Sequence, residues 1–478
     1  MTVELIGIIT LLAGLVGIFC PSAFIVTAFF CSTLLGSAAA LTLPALGDTN
    51  IQPAHLLLGF MAAKLISNGD QKRVLAALVM GRPGLWLMLA VIWSAISAYF
   101  LPRLFAGQTF VFPTRTSGYS LPLAPGTSNL TQSIYLIGDF GCFILLYAYA
   151  TTCGGRRAME NAALLCVVLN LAFAALDLLT YYANATELMS IIRNANYGLL
   201  NDTEMVGIKR IVGSFTEASS FGAATLGYFA FAGKLWLENI RSPLTLVLAG
   251  LSFLALLLST SSTAYVGLAG FMIIAFLHVV FDAARRATTR QSMWLLATMP
   301  IVVPIVVIAI ALNETSSAYV SGMFDELVFN KMSTASGVER SLWNAQGVQN
   351  FVDTFGAGVG NGSMRASSFP ISVLASLGVI GAVTMTLFLV SVFLSRSTGE
   401  DRVRSGYRKA AKYACLGWLV AATVSGALVD LGLPFFAFAA LACSRSIEPL
   451  GAMSPGQRSH ASALQAEGAR FSTVSRVR

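Results

Sequence analysis

Residues 366–395 read ASSFPISVLASLGVIGAVTMTLFLVSVFLS, without one charged side chain. At 1.5 Å per residue a helix of this length runs about 45 Å, more than the about 30 Å hydrocarbon core of a bilayer. Comparable apolar runs extend on both sides of it, at 4–20, 21–43, 52–67, 84–101, 132–151, 159–181, 212–233, 242–259, 262–281, 293–312, 411–428 and 432–446. The pattern predicts an all-α polytopic integral membrane protein with about 12–13 transmembrane helices. Composition agrees: 56% of the 478 residues are hydrophobic, 11% are charged, and the mean hydropathy is +0.74. Soluble domains carry about 25% charged residues, so an ordinary water-soluble protein, a disordered chain and a secreted disulfide scaffold are excluded. The cysteines show no metal or CxxC spacing, and His55, His278 and His460 are too scattered for a histidine-built metal site, so no metal and no cofactor are expected.

The formal net charge of +8 is a matter of topology. Alternate loops hold 22 of the 30 basic residues, in Lys64 to Arg82, Arg156-Arg157, Lys234 with Arg241, Arg285 to Arg290, Arg396 to Lys412 and the tail from Arg445. By the positive-inside rule these loops are cytoplasmic, and nucleic-acid binding is not supported. Arg103, Arg115, Arg193, Lys209, Arg210, Lys331, Arg340 and Arg365 fall on the outer side. The domains expected are a transmembrane helical domain, 1–446, including a long outer loop at 313–365, and a disordered cytoplasmic tail, 447–478.

Outer arginines are exceptions to the topology rule, so something else must justify them. Lys209-Arg210-Ile-Val-Gly213-Ser-Phe215-Thr-Glu217-Ala-Ser219 leads from an outer loop into an apolar run. A helix starting near Arg210 sets Arg210, Gly213 and Glu217 on one face, a cation beside a carboxylate at the rim. Glu217 would face a polar cavity or a partner, either a functional site or a structural pair with Arg210. In the long loop, Val338-Glu339-Arg340-Ser-Leu342-Trp343-Asn-Ala345-Gln-Gly-Val348-Gln-Asn-Phe351-Val352 has helical spacing and predicts an amphipathic helix lying on the membrane or over a cavity. Gly356-Ala-Gly358-Val-Gly360-Asn-Gly362 followed by Arg365 is either a flexible connector or a place where backbone amides approach a phosphate beside an arginine. Asp139 and Asp177 lie within spans and are functional candidates on that ground.

These stretches, in this order, resemble the bacterial O-antigen ligase and polysaccharide polymerase superfamily of membrane glycosyltransferases. Three features over about 205–385 carry the resemblance: Arg210-x-x-Gly213-x-Phe215-x-Glu217-x-Ser219, the serine-rich turn from Leu258 to Leu268, and the long outer loop closing with Gly358-x-Gly360 before Leu377-Gly378-Val-Ile-Gly381. The resemblance implies a multi-pass protein of the bacterial inner membrane that joins undecaprenyl-diphosphate-linked oligosaccharides at the periplasmic face, with chain-length regulators and export proteins as partners. It makes the 313–365 loop a periplasmic one. Ligases carry an arginine where Ser262 stands and a histidine near Ser367, and these departures favour a polymerase of surface polysaccharide. A ligase transferring glycan to lipid A core and a flippase or transporter remain as alternatives.

Glycosyl transfer requires the donor diphosphate to be neutralised and an acceptor hydroxyl to lose a proton. Arg210 is expected to bind the diphosphate, and Lys209, Arg340, Arg365, Gly358, Gly360, Asp139 and Asp177 to line the substrate site. His55 lies far in sequence from the arginine motifs, so carboxylates are the candidate bases, Glu217 first and Glu339 second.

Overall fold

The computed structural model describes residues 2–444 apart from 44–48, 70, 79–81, 115–117, 196–198, 201–203, 206–207, 286–288, 315–316, 319–320, 323–333 and 397–400. The expected tail at 447–478 and the middle of the long loop lie outside the described residues. The chain folds as an all-α, multi-pass bundle. Among the described residues six helices are long and apolar enough to cross a bilayer: α5 (Pro83–Leu104), α6 (Thr127–Ala150), α7 (Cys153–Tyr182), α10 (Ser262–Ala284), α11 (Arg290–Leu312) and α13 (Phe369–Leu394). Shorter apolar helices are α1 (Leu5–Phe19), α2 (Ser22–Ser32), α3 (Pro53–Ser67), α9 (Ser242–Leu258) and α15 (Leu433–Cys443). The others are α4 (Gln71–Ala76), α8 (Ala218–Leu237), α12 (Ala335–Asp353) and α14 (Arg402–Ser425).

Fewer helices reach spanning length than the apolar runs suggest, because local breakers divide those runs. Cys20 and Pro21 are extended and separate α1 from α2. The run at 432–446 yields only the 11 residues of α15, which carries Pro434 in its first turn. Proline also occupies the first turn of α3, α5, α9 and α13, where its missing N–H costs nothing. Strands among the described residues are short antiparallel ribbons in the loops, such as Thr2–Val3, Leu41–Leu43 and Thr49–Ile51.

Small residues set the closest packing. A Cβ on Gly227 of α8 would meet the Trp418 indole of α14 at 2.2 Å, and one on Gly222 would meet Ala264 of α10 at 2.8 Å. The short helix α15 fills the centre, where Phe438 meets Trp418 edge-on at 4.9 Å and Phe436 stacks on Phe388 at 5.9 Å. Large apolar side chains point outward instead, among them Ile92 and Ile96 of α5, Val247 and Leu251 of α9 and Ile380 and Val383 of α13. That distribution suits a lipid solvent.

The stretch at 366–395 is not one uninterrupted helix. It breaks at Gly378, whose φ is +62°. The carbonyls freed by the break are met by protein: Ala375 accepts from Val359 N–H at 2.8 Å, Ser376 from Gly360 N–H at 2.9 Å and Leu377 from the Trp93 indole N–H at 2.7 Å. Backbone that departs from helix at such a depth is tolerated only where protein covers it. The glycine run supplies that cover. A Cβ on Gly358 would stand 2.7 Å from Gly378 N, and one on Gly360 2.7 Å from Pro102 and Ser97.

Candidate functional site

The site is built from the far end of α7. Asp177, 1% exposed, accepts the N–H groups of Val212 at 2.7 Å and Gly213 at 3.0 Å, and pairs with Arg193 at 2.6 Å and Lys209 at 3.6 Å. Arg193 also donates through Nε to the Gly213 carbonyl at 3.1 Å. This knot pins the segment leading to α8. The segment is a turn and not the start of a helix: Gly213 sits at φ +59°, and α8 begins only at Ala218, with Glu217 in the extended cap position. Arg210, Gly213 and Glu217 therefore do not share the helical face that the sequence predicts. Asp177 holds two of the amides that such a helix would orient along its axis.

The turn nevertheless brings Arg210 within electrostatic reach of Glu217, of Tyr265 on α10 and of Arg340 on α12. Glu217 accepts the hydroxyl of Ser219. From the third segment, Arg365 lies with its guanidinium 3.9 Å from the Trp343 ring centroid and in the field of Glu339, Glu217 and Arg340. Three cations and two carboxylates from separate parts of the chain thus converge, with one positive charge in excess. Burial pushes the Arg210 and Arg365 guanidinium groups below the usual arginine range, and the neighbouring glutamates act in the opposite sense. In each, Nε is buried without a hydrogen-bond partner. A buried, unsatisfied guanidinium donor is suited to an anionic oxygen from outside the protein.

α12 forms the roof, and it is amphipathic as the spacing predicts. Trp343, Gly347 and Asn350 are buried, and Asn344 accepts the Ser367 N–H at 2.7 Å, whereas Val338, Leu342, Val348 and Val352 are exposed. An apolar stripe turned outward beside lipid-facing helices fits the membrane interface.

A cavity of about 550 Å3 opens on the other side of Glu217. Glu217, Ser219 and Ser220 line one wall, and Gln52, His55, Trp418 and Asp430 line the others. Both ring nitrogens of His55 are buried without a partner, and the ring lies 4.9 Å from that of Tyr135. Asp430 is in electrostatic reach of His55 and accepts the Gly432 N–H at 2.5 Å. Asp139, 1% exposed, lies within electrostatic reach of Asp430, and both of its carboxyl oxygens are buried without a hydrogen-bond partner.

Of the residues singled out from sequence, Arg210, Glu217, Glu339, Arg340 and Arg365 come together. Lys209 and Asp177 are occupied with each other at the base of the turn, and Lys209 also donates to the Arg210 carbonyl at 2.9 Å. Asp139 lies behind the cavity wall. Gly358 and Gly360 pack against α13 and α5 and not beside the arginines. His55 and Asp430 were not among the candidates. The polar signal for Asp430 is its place in the break between α14 and α15, flanked by Gly426 and Gly432. The chain matches no protein-family model, no curated protein and no solved structure.

Proposed function

We propose that this chain is a membrane glycosyltransferase that polymerises undecaprenyl-diphosphate-linked oligosaccharide repeat units into a surface polysaccharide at the periplasmic face of the bacterial inner membrane. The observation that carries the reading is the convergence of Arg210, Arg340 and Arg365 around Glu217 and Glu339 at one end of a lipid-facing bundle. A diphosphate leaving group needs its developing charge neutralised, and guanidinium groups do this through forked, charge-assisted hydrogen bonds. In this reading Arg210 and Arg365 hold the donor diphosphate with their unsatisfied Nε–H groups, and Trp343 keeps the Arg365 plane in register.

The acceptor hydroxyl approaches from the cavity beside Glu217. Its oxygen forms a bond to the anomeric carbon as the bond from that carbon to the phosphate oxygen breaks. The proton passes to the Glu217 carboxylate, and undecaprenyl diphosphate departs as an anion. Glu339, beside Arg340 on the roof helix, is the second candidate base. A ligase would use the same leaving group, whereas a flippase would need a polar path through the bundle. The central helix α15 is lined by buried apolar side chains, which favours one-sided chemistry over transport.

The test is reconstitution. Purified protein in liposomes with a lipid-linked repeat unit should yield a ladder of longer lipid-linked glycans, and cells lacking the protein should accumulate single units. Failure to lengthen the glycan, or long chains stranded on undecaprenyl diphosphate in the deletion strain, would refute the polymerase assignment.

A further inference from the structure

A second polar cavity lies at the opposite end of the bundle from the arginine–glutamate site. It encloses about 800 Å3 between the start of α7, the α8–α9 junction and the start of α14. Arg156 on its wall and Asp177 beside the candidate active site are 21 residues apart on α7, about 32 Å along the axis. The two sites are therefore separated by a full membrane thickness.

Five arginines line this cavity, Arg156, Arg157, Arg241, Arg402 and Arg404, against two carboxylates, Glu160 and Asp401. The carboxylates are already engaged. Glu160 pairs with Arg156 at 3.3 Å, and Asp401 caps α14 through the Arg404 N–H at 2.7 Å and pairs with the Arg404 guanidinium at 3.9 Å. Arg241 donates to Asn161 at 3.0 Å and Arg402 to the Glu238 carbonyl at 3.2 Å, neutral acceptors that leave both charges uncompensated. Topology explains basic residues on such a face but not their gathering around one hollow.

A second observation points to a ligand. Tyr407 lines the same cavity, is only 2% exposed, and its hydroxyl has no hydrogen-bond partner. A buried, unmatched hydroxyl is unfavourable unless something accepts its hydrogen bond. Among the described residues, three excess positive charges and a free O–H donor around one hollow match an anion with several acceptor oxygens.

We propose that this cavity binds a phosphate group, with Arg157, Arg241 and Tyr407 as donors. The group belongs either to an anionic lipid headgroup or to a free phosphate compound, and both present the same dianionic or monoanionic oxygens. Basic pockets between helix ends are suited to lipid phosphates. The site is independent of glycosyl transfer at the other end of the bundle.

The experiment uses delipidated, full-length protein in a neutral detergent. Short-chain phosphatidylglycerol, short-chain phosphatidylcholine and inorganic phosphate are titrated separately, with binding read by native mass spectrometry and by the shift in melting temperature. Wild type should bind phosphatidylglycerol or inorganic phosphate and not phosphatidylcholine, and which of the two binds identifies the source. Arg157→Gln with Arg241→Gln should weaken that binding by more than tenfold. Tyr407→Phe should weaken it about tenfold while leaving the melting temperature of the unliganded protein unchanged, because no internal hydrogen bond is lost. Equal binding by wild type and Tyr407→Phe, or binding of neither anionic probe to wild type, overturns the proposal.

Discussion

Replacing Arg365 by lysine keeps the charge and removes the planar fork, which makes it the most informative single change at the candidate site. The side chain contributes in two ways. Its stacking on Trp343 at 3.9 Å is a half-buried cation–π contact of about 0.5–2 kcal/mol. Its Nε–H, which has no internal partner, is free to make one charge-assisted hydrogen bond to a diphosphate oxygen, worth about 1.5–3 kcal/mol. A lysine retains the Coulomb attraction but recovers only part of each contribution, so a loss of about 2–4 kcal/mol of transition-state stabilisation is expected. At 1.36 kcal/mol per decade this is about 30–900-fold in kcat/KM. The fold should survive, because the backbone N–H of residue 365 still donates to the Phe112 carbonyl at 2.9 Å and no side-chain hydrogen bond is broken. The assay is growth of lipid-linked glycan by purified Arg365→Lys protein in liposomes, alongside its melting temperature in detergent. Activity within threefold of wild type, or a loss that tracks a fall in melting temperature, would refute the role given to this guanidinium.

Glu217→Gln should lower chain growth by about 10²–10⁴-fold at unchanged protein level, with Glu339→Gln less affected; near-normal rates in both would remove carboxylates from the proton transfer. Asp177→Ala, which unpairs Arg193 and Lys209 and frees two buried amides, should cost about 3–5 kcal/mol and is read as loss of folded protein; a stable but inactive variant would return Asp177 to the substrate site. Gly378→Ala places a Cβ 2.3 Å from the Ala357 carbonyl at a left-handed φ, and should destabilise by about 2–5 kcal/mol in chemical denaturation. In a cysteine-free background, Val348→Cys should react with an impermeant thiol reagent applied from outside and Val403→Cys should not, and reversed labelling would invert the assignment of the two faces.

The sequence makes the bilayer and the arginines visible, since apolar runs report their solvent and outer cations stand out against the topology bias. The amphipathic α12 is equally readable, from Leu342, Val348 and Val352. Other features depend on contacts remote in sequence. The helical reading of 210–217 is overruled by Asp177, which lies 35 residues before Val212 and holds its amide. His55 and Glu217 meet at one cavity because α3 and α8 pack round a common centre, and nothing in spacing reports that. The glycine run reads as either a connector or a phosphate cradle because open backbone looks alike whether a ligand or another helix approaches it. The break at Gly378 is hidden because a broken apolar helix is as apolar as an intact one.

That break also constrains how the chain is assembled. The carbonyls of Ala375, Ser376 and Leu377 would face hydrocarbon if α13 entered the bilayer alone, each with several kcal/mol of unmet hydrogen bonding. Their partners come from Trp93, made nearly 300 residues earlier, and from Val359 and Gly360, which precede α13 on the chain and must fold back onto it. These three pieces can only be completed together. A nascent chain halted before residue 375 therefore leaves the amides of Val359 and Gly360 without their acceptors, and an α13 released sideways into lipid before the loop has turned inward would carry three unmet carbonyls.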